Sequence, residues 1–289
     1  GGATGIEVAG ILSEMKKFVL PNDYPDMPSS LMHIYLIEAG PRLLAGMSEE
    51  SSAHAEQFLR EMGVNILLNK RVVDYRDHKV VLEDGTEIAT RTFIWVSGVT
   101  GVTIGNLDAS LIGRGGRIKV DSFNRVEGMN NVFAIGDQCI QVADEDYPNG
   151  HPQLAQVAIQ QGELLAKNLV RMEKGREMKP FHYRNLGSMA TVGRNRAVAE
   201  FSKVKMQGWF AWVMWLVVHL RSILGVRNKV IVLLNWVWNY FTYDQSMRMI
   251  VYARKAKEIR DREKVEETTH WGKELVQEEK NPSITSSSK

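Results

Sequence analysis

The 289-residue chain carries a single cysteine, Cys139. Within it, that excludes a disulfide framework, a Cys-x-x-Cys redox pair and a cysteine-rich metal site. Its seven histidines show no metal-ligand spacing and read as surface or core groups. Lys and Arg number 36 against 34 Asp and Glu, a formal charge of +2, so nothing electrostatic argues for nucleic acid. No apolar run reaches the ~20 residues of a membrane span; the longest, Trp209 to Val218, ends before His219 and Arg221. A complete G-x-G-x-x-G is also missing. In the opening GGATG, Gly2 and Gly5 fit the last two glycines of that motif and Gly1 its free position. The leading glycine and the strand before it are absent, so the chain is expected to be the C-terminal part of a longer protein.

With 44% hydrophobic and 24% charged residues, the composition is that of an ordinary globular protein with room for one large or two ordinary domains. GIEVAGILSEMKKFVL has apolar residues at helical spacing and predicts a helix ending near Pro21. NDYPDMPSS is a Pro-rich loop and HIYLIEAG a buried strand. SEESSAHAEQFLREMG predicts a helix with Ser48 as N-cap and Gly63 as its stop. The next 35 residues, through FIWVSG, read as short strands with a turn at Asp84-Gly85. GRIKVDSFNRV and NVFAIGD follow as strands, Pro152 to about Glu173 as a long helix, and from Phe181 short strands return through MATVGRNRAVAEF. Strand, helix, strand and then a meander is a nucleotide-binding α/β pattern.

Gly5 opens a helix, and the strand after it ends in Glu38, placed to bond the ribose hydroxyls of an adenine dinucleotide. A carboxylate there disfavours a 2′-phosphate and so favours NADH; Arg42, four residues on, keeps NADPH open, and Glu38 could also be a plain strand-end charge. NVFAIGD ends in Gly136-Asp137, one loop before a helix. Such an Asp can accept hydrogen bonds from the ribityl hydroxyls of a flavin, and the helix N-terminus can stabilise the flavin's anionic reduced form. Beside it, Cys139 reads as small packing rather than a redox partner. Five of the seven Trp lie between Trp209 and Trp238, among Arg221, Arg227 and Lys229 and just after Lys203 and Lys205. Trp-rich apolar stretches flanked by cations suit helices lying in a bilayer interface. A buried helical hairpin in a dimer interface is the alternative, with a single spanning helix behind it. From Arg254 the chain is charged and ends in a Ser-rich tail expected to be unstructured.

Taken in order, GGATGIEVAG, LIEAGPRLL, FIWVSGV, VFAIGD, AQVAIQQG, LGSMATVGRNRAVAEF and the Trp-rich end resemble the type II, non-proton-pumping NADH:quinone oxidoreductases over about Gly1 to Ile250. The resemblance implies an α/β fold of the two-dinucleotide-binding-domain, disulfide-reductase-like flavoprotein type, truncated at its N-terminus and ending in amphipathic membrane-binding helices. Residues 1–105 would form the NADH-binding domain and 106–200 the C-terminal part of the FAD domain with a quinone-site helix. Residues 201–253 would be the membrane helices and 254–289 the tail. Glu7 would lie near the nicotinamide; Gly2, Gly5, Glu38 and Gly98 would serve NADH; Gly136 and Asp137 would bind FAD. Gln156 and Gln160, four apart and so on one helix face, would border the flavin and the quinone, although a polar helix face explains them equally. Some family members carry His where Ile159 stands, and this chain has no proton donor there. The implied setting is respiratory: a peripheral protein on the cytoplasmic face of a bacterial membrane, or on the mitochondrial inner membrane, with a membrane quinone and the lipid surface as partners and a homodimer as one possible assembly. Without its upstream flavin-binding segment the piece alone would be inactive. Other readings are a sulfide:quinone reductase, which needs a second cysteine, a ferredoxin-type reductase, and a membrane-attached NADH sensor without turnover.

Overall fold

The computed structural model describes residues 1–242 apart from Met27, Thr103 and Lys203; the expected tail and the end of the expected membrane segment lie outside the described residues. The chain divides into two compact units, Gly1–Leu234 and Asn235–Lys289. Of the second, the described part is the end of the last helix.

Helix α1 (Ala3–Glu14) continues through a π-helical turn at Met15–Val19 into a short α2 (Leu20–Asp23), two residues beyond the Pro21 expected to stop it. Pro21 lacks an N–H to donate to the preceding turn, and it directly follows the π-helical turn, where the Leu20 N–H already donates five residues back to the Met15 carbonyl. Strand β1 (Ile34–Ile37), helix α3 (Glu49–Glu61) and β2 (Val64–Leu67) form a parallel β-α-β unit with Ile34 opposite Val64. As the sequence predicts, Ser48 caps α3 by accepting from the Ser51 N–H, and Gly63 leaves the helix at φ +82°. An antiparallel meander follows: β3 (Val72–Arg76), β4 (Lys79–Leu82) and β5 (Glu87–Ala89). Besides the expected turn at Asp84-Gly85, a second one lies at Asp77-His78, where both residues have positive φ.

Three expected strands are not full ladders. FIWVSG runs irregularly with Ile94 and Trp95 exposed, because no described segment pairs with its backbone. GRIKVDSFNRV and NVFAIGD contribute only β6 (Ile118–Lys119), which pairs in parallel with β7 (Cys139–Ile140), and single bridges such as Arg125 to Phe133. Asp121 Oδ1 accepts from the Phe123 and Arg125 N–H groups, and Asn124 takes φ +63°; this tight turn interrupts the pairing. Helix α4 (Ala155–Glu173) starts three residues after the expected Pro152 and ends where the sequence places it.

A three-stranded antiparallel sheet, ordered β10 (Val204–Gln207), β9 (Arg196–Phe201), β8 (Ser188–Gly193), completes the core. Strand alternation gives it two buried faces. Ala190, Val192 and Val198 join Ile6, Leu43 and Leu59 of the N-terminal unit, all fully buried, while Ala197 and Ala199 pack against Ala211 of α5 (Gly208–Ser222). Burying a side chain such as Ile6 or Leu59 contributes about 1.5–3 kcal/mol. The small alanine seam lets α5 lie close on the sheet and leaves Trp209, Phe210 and Val217 exposed. Helix α6 (Val226–Thr242) follows.

Candidate functional site

The opening glycines sit against the acidic end of β1. Gly2, in extended conformation, is the N-cap of α1 and has no side chain to occupy the first-turn amides; a Cβ on it would meet nothing within 4 Å. At Gly5 a Cβ would touch Leu36 and Val96 at 3.5 and 3.4 Å, so the residue keeps helix and strand close. Gly1 packs on Glu38, where a Cβ would lie 2.8 Å from the Glu38 Cβ and Cγ, and the Gly40 N–H donates to Glu38 Oε1 at 2.7 Å. Burial pushes the Glu38 carboxyl up, while the Gly40 and Ala39 N–H groups pull it down. An ionised acceptor therefore stands beside a helix N-terminus with open amides, an arrangement suited to a sugar diol and a phosphate side by side. A cleft of about 670 Å³ adjoins α1, β1 and residues 87–97; Gly1 and Gly5 line it, Glu38, Glu7 and the glutamines do not, and its walls mix apolar side chains such as Val8 and Val96 with polar ones such as His33 and Thr90.

Glu7 projects from α1 toward β8, where the Thr191 N–H and hydroxyl lie 3.4 and 3.5 Å from its Oε1. Gly98, at φ +85°, stands on the irregular segment with open space around it, and no described contact ties it to Glu38 or Asp137.

Gly136 and Asp137 form a 3₁₀ turn after a strand-like approach. Gly136 has φ +65°, a Cβ on it would press on Ala158 of α4 at 3.2 Å, and its N–H donates to Gln161 Oε1 at 2.7 Å. Gln161, one per cent exposed, is a residue the sequence analysis missed; only its place beside Gln160 could have flagged it. The Asp137 carboxylate is exposed and makes no hydrogen bond among the described residues, leaving four lone-pair sites for hydroxyl donors. Helix α4 begins nearby with no side-chain cap. An uncommitted carboxylate, a glycine pressed against a helix and open helix amides fit the polyol and the electron-rich ring of a flavin. Burial pushes the Cys139 thiol up, as expected of inert packing.

Gln156 and Gln160 share a face of α4, as the spacing predicts, and both amides are engaged. Gln156 accepts from the Leu186 N–H and donates to the Gly187 carbonyl, each at 3.0 Å. Gln160 grips both backbone groups of Arg184 at 2.9 and 3.0 Å. Two turns on, Asn168 does the same to Lys179 at 2.8 and 2.9 Å. These amides form a stripe that substitutes for a neighbouring strand, and it zips the returning segment 179–187 antiparallel along α4. The zipper fixes each amide's orientation while leaving each glutamine one N–H and one lone pair. Beside it a buried pair, four per cent exposed at each side chain, joins His151 Nε2 to Asp144 Oδ2 at 2.9 Å; the Tyr183 N–H donates to the same oxygen. His151 is thus a core histidine.

The Pyridine nucleotide-disulphide oxidoreductase family pattern matches residues 1–162, and the NDH2 C-terminal domain matches residues 185–243. The chain is 35% identical over 248 residues to the type II NADH:quinone oxidoreductase NdhA of Mycobacterium tuberculosis, covering 81% of this chain and 51% of the relative. It is 31% identical to the internal alternative NAD(P)H-ubiquinone oxidoreductase A1, mitochondrial, of Arabidopsis thaliana, covering 83% of this chain and 50% of the relative. The chain therefore spans about half the length of the curated relatives it matches. Its fold is similar to that of NDH2 from Plasmodium falciparum, solved in complex with NADH, with TM-score 0.73 at 18% identity over 83% of this chain and 64% of that one. The chain belongs to the pyridine nucleotide-disulphide oxidoreductase family, and within it to the type II NADH:quinone oxidoreductases.

Proposed function

We propose that the full-length protein oxidises NADH through FAD and passes two electrons to a membrane quinone without pumping protons. The observation that carries the reading is the Glu38 carboxylate packed against Gly1 and held by the Gly40 N–H beside the Gly1–Gly5 turn, within a chain of this family. Bound FAD would supply the hydride acceptor and the two-electron donor. Residues 1–105 would hold NADH, with Glu38 accepting from the adenosine ribose hydroxyls and the α1 amides facing the pyrophosphate. Glu7 would lie near the nicotinamide, and Gly98 would border the same nucleotide. Gly136 and Asp137, in residues 106–200, would hold the ribityl chain, and the open N-terminus of α4 would favour negative charge on the ring. The free N–H of Gln156 or Gln160, its direction set by the zipper, would donate to a quinone carbonyl.

Residues 201–253 would dock on the cytoplasmic face of a bacterial membrane. Among the described residues no helix is long and apolar enough to cross a membrane. Support for interfacial docking comes from α5, whose alanine face is buried while Trp209 and Phe210 are 50% and 70% exposed, with Arg221 in its last turn. Removing Gly208 onward is expected to shift the protein from membranes to the soluble fraction; retention on membranes would contradict this. In the full-length enzyme, Gln156→Ala is expected to slow flavin reoxidation by quinone while NADH-driven reduction is kept. The reverse pattern would move Gln156 to the nucleotide side.

A further inference from the structure

Arg42 stands four residues after the ribose carboxylate, where a cation could serve a 2′-phosphate. Its guanidinium is engaged elsewhere. Nη1 donates to the carbonyls of Leu44 and Met47 at 3.3 and 2.8 Å, and Nη2 donates to that of Ala45 at 2.8 Å. Three of its five N–H donors are spent on one loop.

That loop is built into the nucleotide site. Leu44 has φ +47°, unusual for a branched residue, and its N–H donates to the Gly1 carbonyl at 2.8 Å. Gly1 in turn packs on Glu38, where a Cβ would lie 2.8 Å from the Glu38 Cβ. The Ser52 hydroxyl fixes the Leu43 carbonyl at 2.7 Å, and Leu43, Leu44 and Met47 are buried. Arg42 therefore ties the turn that grips Gly1, and Gly1 abuts Glu38. Drawing Arg42 toward a phosphate would break three charge-assisted bonds and release Leu44 from a conformation that it does not favour.

We propose that Arg42 is a positioning residue for the nucleotide site as a whole: it braces the Gly1–Glu38 contact and is withheld from a 2′-phosphate. The inference rests on the NADH reading of this site. Its test uses the full-length flavoenzyme, with 5′-AMP and adenosine 2′,5′-bisphosphate competing against NADH. Arg42→Ala should weaken both competitors by the same factor, about tenfold to a hundredfold for the loss of several hydrogen bonds to a charged group. KM for NADH should rise with it, while kcat and flavin reoxidation by quinone stay unchanged. Arg42→Lys, whose single ammonium cannot span three carbonyls, should show the same pattern to a lesser degree. Selective weakening of the bisphosphate would make Arg42 a phosphate ligand and overturn the inference. Unchanged binding of both competitors would overturn it equally, and so would a fall in kcat or reoxidation alongside the rise in KM. If neither nucleotide competes in the unaltered enzyme, the nucleotide site itself is wrong and the inference falls with it.

Discussion

Two glycines inside helices, Gly10 in α1 and Gly162 in α4, should respond oppositely to the same change. In a helix interior, Gly→Ala ordinarily stabilises by about 1 kcal/mol, because alanine loses less backbone freedom. At Gly162 the added methyl would sit 3.7 Å from Ile135 Cδ1, ordinary contact, so Gly162→Ala should realise most of that gain. At Gly10 it would collide with the Val192 carbonyl, lying 2.7 Å from its carbon and 3.5 Å from its Cα, where α1 crosses β8. Both sides of that crossing are backbone, so no side chain can rotate away. Moving α1 outward would stretch the contacts from Glu7 to Thr191 and from Glu14 to the Arg194 N–H, and open the core around Ile6 and Val192. Overpacking of this kind costs about 1–3 kcal/mol and occasionally more, and the propensity gain offsets only part of it. Gly10→Ala should therefore lose about 2 kcal/mol, roughly 3 kcal/mol apart from Gly162→Ala. Urea midpoints of the two variants, followed by tryptophan fluorescence at equal m-value, measure the difference. Equal stabilisation by both substitutions would refute the close crossing of α1 and β8.

Glu200 of β9 accepts from the Ser48 N–H at 3.0 Å, the Ser51 hydroxyl at 2.6 Å and the Ser48 hydroxyl, so it buttresses the N-cap of α3. Burial pushes its carboxyl up, but the serine donors outweigh this and hold it below the ordinary 4.5. A carboxylate lowered on folding stabilises fully above its unfolded pKa and loses that contribution as pH falls through the folded value. Glu200→Gln should cost about 1–2 kcal/mol at pH 7, and the gap to the unaltered protein should close on acidification below 4.5; a pH-independent gap in urea titrations would contradict the assignment. Cys139, three per cent exposed with its thiol pushed up by burial, should resist iodoacetamide at pH 7.5 in the folded protein and react fully in urea; fast native labelling would refute its burial. Glu38→Gln should narrow the preference for NADH over NADPH in the full-length enzyme, and an unchanged ratio of kcat/KM values would discard Glu38 as the ribose ligand.

What local chemistry decides was legible in the sequence. The bounds of α3 follow from Ser48 and Gly63, and the end of α4 near Glu173 and the face shared by Gln156 and Gln160 from helical spacing. What depends on a distant partner was not. FIWVSG has a strand's composition, yet pairing needs a neighbouring backbone that the described residues do not supply. The strands expected from Phe181 begin only at Ser188, since the hydrogen-bond partners of segment 179–187 are amide side chains of α4. Arg42 read as a free cation because the three carbonyls that engage it come together only when residues 44–47 turn. Glu200 and Ser48 stand 152 residues apart, beyond any local pattern.

Flavin absorbance of the full-length protein in detergent, without oxygen, tests the central claim most directly, first on adding NADH and then a short-chain quinone. The account expects bleaching by NADH and rapid recovery with quinone. Bleaching without recovery would contradict the quinone step and point to a protein acceptor or a sensor. Absence of bleaching would remove the nucleotide site built around Glu38 and the Gly1–Gly5 turn.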